Sequence, residues 1–233
     1  MCISAEASRN MFIGGVVSSV LLMKFGLKKL ESYNLFLVIV FLYVILMQGI
    51  DYLVWTDLNC KLGRNKLAGI LGAFLNYSQP LFVLLIGYLV LSKKINKTVL
   101  GLNGVYLLLF VYFLYSYYSK GDYCSSVDPE TGNLVWNWTQ SSIIKVLALG
   151  YFIVLFTNLL SFSDNNYMLV VNSLILLYVL MIMANIKNYK SIGNLWCFVT
   201  PTIIVLFLIF QLVFPKFSLN KIHKKYLRNI TSM

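Results

Sequence analysis

VYLLLFVYFLY at residues 105–115 and SLILLYVLMIM at residues 173–183 decide the fold class. Neither run contains a charge, a proline or a glycine. Neither alternates polar with apolar residues, as the strands of a membrane barrel do over about ten positions. Each lies inside a longer apolar stretch of the length that crosses roughly 30 Å of hydrocarbon as a helix, about 20 residues. Seven stretches of this kind are expected along the chain, at 7–27, 34–55, 67–91, 99–118, 142–162, 167–186 and 194–214. The expected class is an all-α polytopic membrane protein, a seven-transmembrane-helix bundle over 1–214 followed by a basic amphipathic tail at 215–233.

Composition points the same way. Of 233 residues, 59% are hydrophobic and 12% charged, with a mean hydropathy of +0.78. A soluble domain carries about 25% charged residues. A chain this apolar lacks the polar groups to cover its surface in water. The start MCISAEASRN lacks the basic opening of a signal peptide, and no small-residue cleavage site follows Val16–Met23, so the first stretch is expected as a retained helix. Ser4 is its expected N-cap, and Glu6 lies in the first turn, where the helix dipole favours negative charge.

Seven spans would place Arg9, Lys61, Arg64, Lys66, Lys120, Lys145, Lys187 and Lys190 on one side. The other side would hold Lys24, Lys28, Lys29, Lys93, Lys94, Lys97 and the tail residues Lys216, Lys221, Lys224, Lys225 and Arg228. This excess predicts a non-cytoplasmic N-terminus and a cytoplasmic C-terminus. Cys2, Cys60, Cys124 and Cys197 all fall on the predicted outer side, where disulfides persist, and three pairings are open to them. The sequons at Asn96, Asn137 and Asn229 fall on both sides and decide nothing. The net charge of +11 hugs the span ends, which indicates a lipid bilayer and anionic lipid, not nucleic acid. In the tail, Leu219, Ile222, Tyr226 and Ile230 recur at helical spacing while Lys221, Lys224, Lys225 and Arg228 take the other face. That pattern fits an interfacial helix at the membrane surface, or equally a solvated tail that obeys the charge rule.

Polar residues inside the spans are few. Gln48, Asp51 and Trp55 share one face of the second span, and Asp51 lies about one turn from its outer end. Asn76 and Gln79 are three apart in the third span, beside Pro80, which removes a backbone donor and frees a carbonyl. Arg9 and Lys145 enter their spans at the same outer depth. These six (Arg9, Gln48, Asp51, Asn76, Gln79 and Lys145) form a candidate outward-facing polar pocket for a solute or ion. The alternative is that the amides knit helices together. Gly14 and Ser18, Gly15 and Ser19, Ala68 and Gly72, and Gly69 and Ala73 give small-xxx-small faces, expected to pack the first and third spans together.

Several chemistries lack their residues. The single histidine, His223, lies in the tail, so the spans hold no histidine cluster for zinc and no serine–histidine pair. Asp51 is the single aspartate within a span, which excludes an intramembrane aspartyl dyad, and no glycine-rich nucleotide motif is present. No cofactor or catalytic residue is expected.

MCISAEAS at the start, QGIDYLVW in the second span and NYSQP in the third resemble a family of multi-pass membrane proteins that begin MCFSAxAS. Members carry Q-x-x-E-x-x-x-W in the second helix and a proline in the third. The likeness covers roughly the first ninety residues and implies a seven-helix fold with no established activity. It implies that Cys2, Ser4, Gln48, Asp51, Trp55 and Pro80 are family positions, with Asp51 standing where the family has Glu. Two functions stay open: a transport or sensing protein using the polar pocket, and a structural or assembly component acting through its tail and loops.

Overall fold

The computed structural model describes residues 4–130, 132–140, 143–163 and 192–215. Among them are six α-helices: α1 (Ala5–Phe25), α2 (Glu31–Trp55), α3 (Arg64–Leu91), α4 (Lys97–Tyr118), α5 (Ile144–Ser161) and α6 (Ile192–Val213). The stretch from Lys28 through α2, together with α3, α4 and α5, is long and apolar enough to cross a membrane, giving the chain the build of a multi-pass membrane protein. The 21-residue α1 has the length, but its serines, glycines and charges leave it less apolar than these four. α6 has 22 residues and is apolar over Thr202–Val213. The expected span at 167–186 lies outside the described residues, as does the tail from 216, so the count of seven is not reached here.

Ser4 caps α1 as expected, its Oγ accepting from Ala7 N at 3.1 Å, with Glu6 in the first turn. The hydroxyls of Ser18 and Ser19 donate to the carbonyls of Gly14 and Gly15 at 2.7 and 2.8 Å, which satisfies them without water. α2 is the centre of the bundle. In its most apolar window 61% of residues are buried, against 28% in α4. Among the described residues α4 buries one face only. Asn103, Tyr106, Phe110, Phe113 and Tyr117 point inward at spacings of three and four, while Val105, Leu108, Tyr112 and Tyr115 face outward. In lipid the outward face gains nothing by burial, so helix packing rests on close contact and hydrogen bonds.

The small-residue faces pack differently from expectation. A Cβ on Gly15 would strike Ile45 of α2, and one on Gly72 would strike Ile50 of α2 and Trp138. Gly69 lies against the backbone carbonyl of Tyr123. α1 and α3 therefore use their small faces on α2 and on the loop after α4, not on one another.

Two ends of the bundle can be distinguished. At one, Cys60 is joined to Cys124 by a disulfide, tying the α2–α3 connection to the loop after α4. At the other, Leu27 N donates to Gln211 Oε1 at 2.8 Å, Gln211 Nε2 donates to Asn34 Oδ1 at 2.8 Å, and Lys93 Nζ reaches Phe162 O at 3.2 Å. Asn34 and Gln211 are both buried, so this lock holds the start of α2 to the end of α6. The start of α1 thus lies at the disulfide end and the end of α6 at the opposite one.

Candidate functional site

The six residues proposed for the outward pocket differ in their burial. Gln48 and Asp51 sit on the inner face of α2, 3% and 1% exposed. Trp55, one turn on, is half-buried. Gln79 is 1% exposed, between α3 and α5, where its Oε1 accepts from Tyr151 Oη at 2.5 Å. Asn76 is half-buried, and the cations Arg9 and Lys145 are both exposed. A groove of about 330 Å³ between α1, α2 and α3 is lined instead by apolar side chains, among them Phe12, Val16, Leu46 and Phe82.

The polar centre that the structure does build surrounds Pro80. A proline inside a helix cannot donate and pushes the preceding turn open, leaving carbonyls that lipid cannot serve. Side chains from three neighbouring helices attend to this turn. Tyr106 Oη of α4 donates to Tyr77 O at 2.7 Å, and Asn158 Nδ2 of α5 donates to Pro80 O at 2.8 Å. Tyr43 of α2 shares a hydrogen bond with Ser78 Oγ at 2.6 Å, and its ring stacks on Phe82 with centroids 3.9 Å apart. Asn103 and Asn158 also exchange hydrogen bonds, at 2.7 and 3.0 Å, both fully inside the bundle. Gln79 Nε2 is left without an acceptor among the described residues, as is Tyr117 Oη. A buried group in that state costs about 1–3 kcal/mol.

At the disulfide end the loop after α4 folds into a cap. β1 (Ser126–Val127) pairs antiparallel with β2 (Leu134–Val135), and a 3-10 turn follows at Asn137–Gln140. Gly132, with φ of +66°, makes the return that a side chain would strain, its N donating to Asp128 O at 2.8 Å. Trp136 and Trp138 stack at 4.0 Å between centroids and are buried, Trp138 against Gly72. Asn65 fastens the cap: its Nδ2 donates to Ser125 O and its Oδ1 accepts from Ser125 N, both at 2.9 Å. Asn137 Nδ2 donates to Cys124 O at 3.3 Å, so the amide of that sequon is engaged within the cap.

Asp57 completes the junction. The residue preceding α3 is Gly63, which has no side chain to cap the helix. Asp57 supplies the oxygens from six positions back, accepting from Leu62 N at 3.0 Å and Asn65 N at 3.2 Å. The Leu62 amide above all, aided by those of Asn65, Arg64 and Lys61, holds the Asp57 carboxyl below its ordinary 3.8, against the opposing effect of burial.

Of the four cysteines weighed for disulfides, Cys60 and Cys124 are joined, whereas Cys2 and the side chain of Cys197 lie outside the described residues. Lys221, Lys224, Lys225 and Arg228 lie outside them too. Sequence reasoning passed over Asn103, Asn158 and Asp57. A lone amide in an apolar run carries no periodic signal. The hairpin was legible in principle, since DPETGN, ahead of the apolar Leu134-Val135-Trp136, is a turn composition. Among the described residues no group of three or more His, Cys, Asp or Glu is placed to hold a metal. Comparison with protein-family models, curated proteins and solved structures finds no match.

Proposed function

We propose that this protein is a structural or assembly component of a membrane that presents the disulfide-stapled cap on its non-cytoplasmic face and its C-terminus to the cytoplasm. The observation that carries this reading is the commitment of interior polar groups to the bundle itself. Tyr43, Tyr106, Tyr151, Asn103 and Asn158 spend their hydrogen bonds on other helices, and Asn65 and Asp57 spend theirs on the cap. Such side chains fix shape. The Cys60–Cys124 bridge supports the side assignment, because disulfides persist in oxidising compartments. Membership of the MCFSAxAS family is part of the proposal and stands on the first ninety residues.

The test is co-purification of the tagged full chain in mild detergent, alongside Cys60→Ser/Cys124→Ser and a chain lacking 216–233. A stoichiometric partner lost from either variant is expected. If wild type purifies alone at every detergent concentration, the assembly reading fails.

A second reading stands on Asp51, a carboxylate buried in the central helix beside Gln48. Intramembrane carboxylates commonly mark ion or solute sites. On this reading Asp51→Asn abolishes solute-driven flux in proteoliposomes without lowering yield. Equal flux in the two proteins would remove it.

A further inference from the structure

Charge is distributed unevenly between the two ends of the described bundle. At the capped end the acids Glu6, Asp57, Asp122, Asp128 and Glu130 nearly balance the basic residues. The opposite end carries Lys24, Lys28, Lys29, Lys93, Lys94 and Lys97 against one acid, Glu31. Two contacts gather these lysines around the start of α2. Lys93 Nζ lies 5.3 Å from the centroid of the Tyr33 ring while it donates to Phe162 O, and Lys29 Nζ donates to Pro215 O at 2.6 Å. The α1–α2 turn and the α3–α4 connection therefore form one rim.

Lys29 and Lys93 serve carbonyls at the ends of helices. The other four are exposed and make no ion pair among the described residues. Lys24 lies in the last turn of α1, where the dipole favours a cation, but two of the four do not favour their helices. Lys28 opens the 3-10 turn leading into α2, and Lys97 is the first residue of α4. Both are helix N-termini, where the dipole disfavours a cation. Just beneath the rim, Phe25 and Leu100 are 50% and 59% exposed, as side chains facing acyl chains would be. With these helices read as membrane spans, the lysines stand at their ends, the level of lipid phosphates.

We propose that this rim binds the headgroups of anionic phospholipids in the leaflet at that end. The proposal rests on the bundle alone and is independent of the assembly role above. The surface potential of an anionic leaflet favours each nearby lysine by about fivefold in binding. The rim should thus select phosphatidylglycerol over phosphatidylcholine from a mixed bilayer.

The experiment uses the full chain in vesicles of phosphatidylcholine and phosphatidylglycerol, followed by native mass spectrometry of the lipids that remain bound. Wild type is expected to retain phosphatidylglycerol in excess of its bilayer fraction, and less of it in 0.5 M salt, where screening shortens to roughly 4 Å. K24Q/K28Q/K94Q/K97Q is expected to reduce the excess at least tenfold. K61Q/R64Q/K66Q/K120Q, at the capped end, should leave it intact. Non-reducing gels of the Cys60–Cys124 bridge report folding of each variant. Should the fourfold variant misfold, K94Q and K97Q singly should each reduce the excess several-fold. No excess in wild type overturns the proposal. So does an excess that survives in the rim variants but disappears on deleting 216–233.

Discussion

Replacing Asn158 with Leu, which keeps the same branched side-chain skeleton, removes three interhelical hydrogen bonds: two exchanged with Asn103 and one to Pro80 O. Interhelical bonds in a bilayer average about 0.6 kcal/mol each, so the loss is about 1.8 kcal/mol. Asn103→Leu removes two of the same bonds, about 1.2 kcal/mol, and its contact with Val99 O lies within its own helix. If the sites were independent, the double variant would lose about 3 kcal/mol. The two shared bonds can be lost only once, however, so the double variant should lose about 1.8 kcal/mol, a coupling of about 1.2 kcal/mol. Replacing both amides also leaves neither member of the pair facing an orphaned amide, which adds to the same sign. The assay is reversible unfolding of the four proteins in bicelles, read as a double-mutant cycle. Strict additivity, with each single variant within 0.3 kcal/mol of wild type by the tolerance of such cycles, would refute the reasoning that this amide pair joins α4 to α5 and shields the proline turn.

Two further outcomes follow from the cap and the glycines. Because the Asp57 carboxyl is held below its ordinary 3.8 in the folded chain, its contribution is fully present above that pH and is lost as pH falls through the lowered folded value. Asp57→Asn should flatten this acid limb in an unfolding series followed by the fluorescence of the buried Trp136 and Trp138, and an unchanged limb would count against the capping role. Gly69→Ala would drive a methyl into the Tyr123 carbonyl and should cost about 1–3 kcal/mol. Gly104→Ala, with nothing near its Cβ position, should be neutral or stabilising by up to about 1 kcal/mol. Equal melting temperatures for these two variants would show that the cap does not press on α3.

The helices could be read from the sequence because a long uncharged run has one stable form in lipid, whatever surrounds it. The expected stretches 34–55, 67–91 and 99–118 agree with α2, α3 and α4 to within three residues. Which face of each helix meets protein was not legible. In α4 the inward Phe110 and Phe113 and the outward Leu108 and Val111 are all apolar, so hydropathy has no period to report. The small-residue stripes revealed close approach, yet their partners, α2 and the cap, depend on three-dimensional placement.

The amino-acid order by itself determined that the chain forms apolar helices long enough to cross a membrane, separated by charged connections, with Ser4 capping the first. Tertiary structure alone decided that Cys60 joins Cys124, that Gln79 meets Tyr151 while Arg9 and Lys145 stay outside, and that Asn103 and Asn158 close around Pro80. The physical reason is one of range. Helix formation in an apolar medium is satisfied within a few residues of backbone. A polar side chain in that medium takes whichever partner folding brings within about 3 Å, and that partner here lies 55 to 78 positions away.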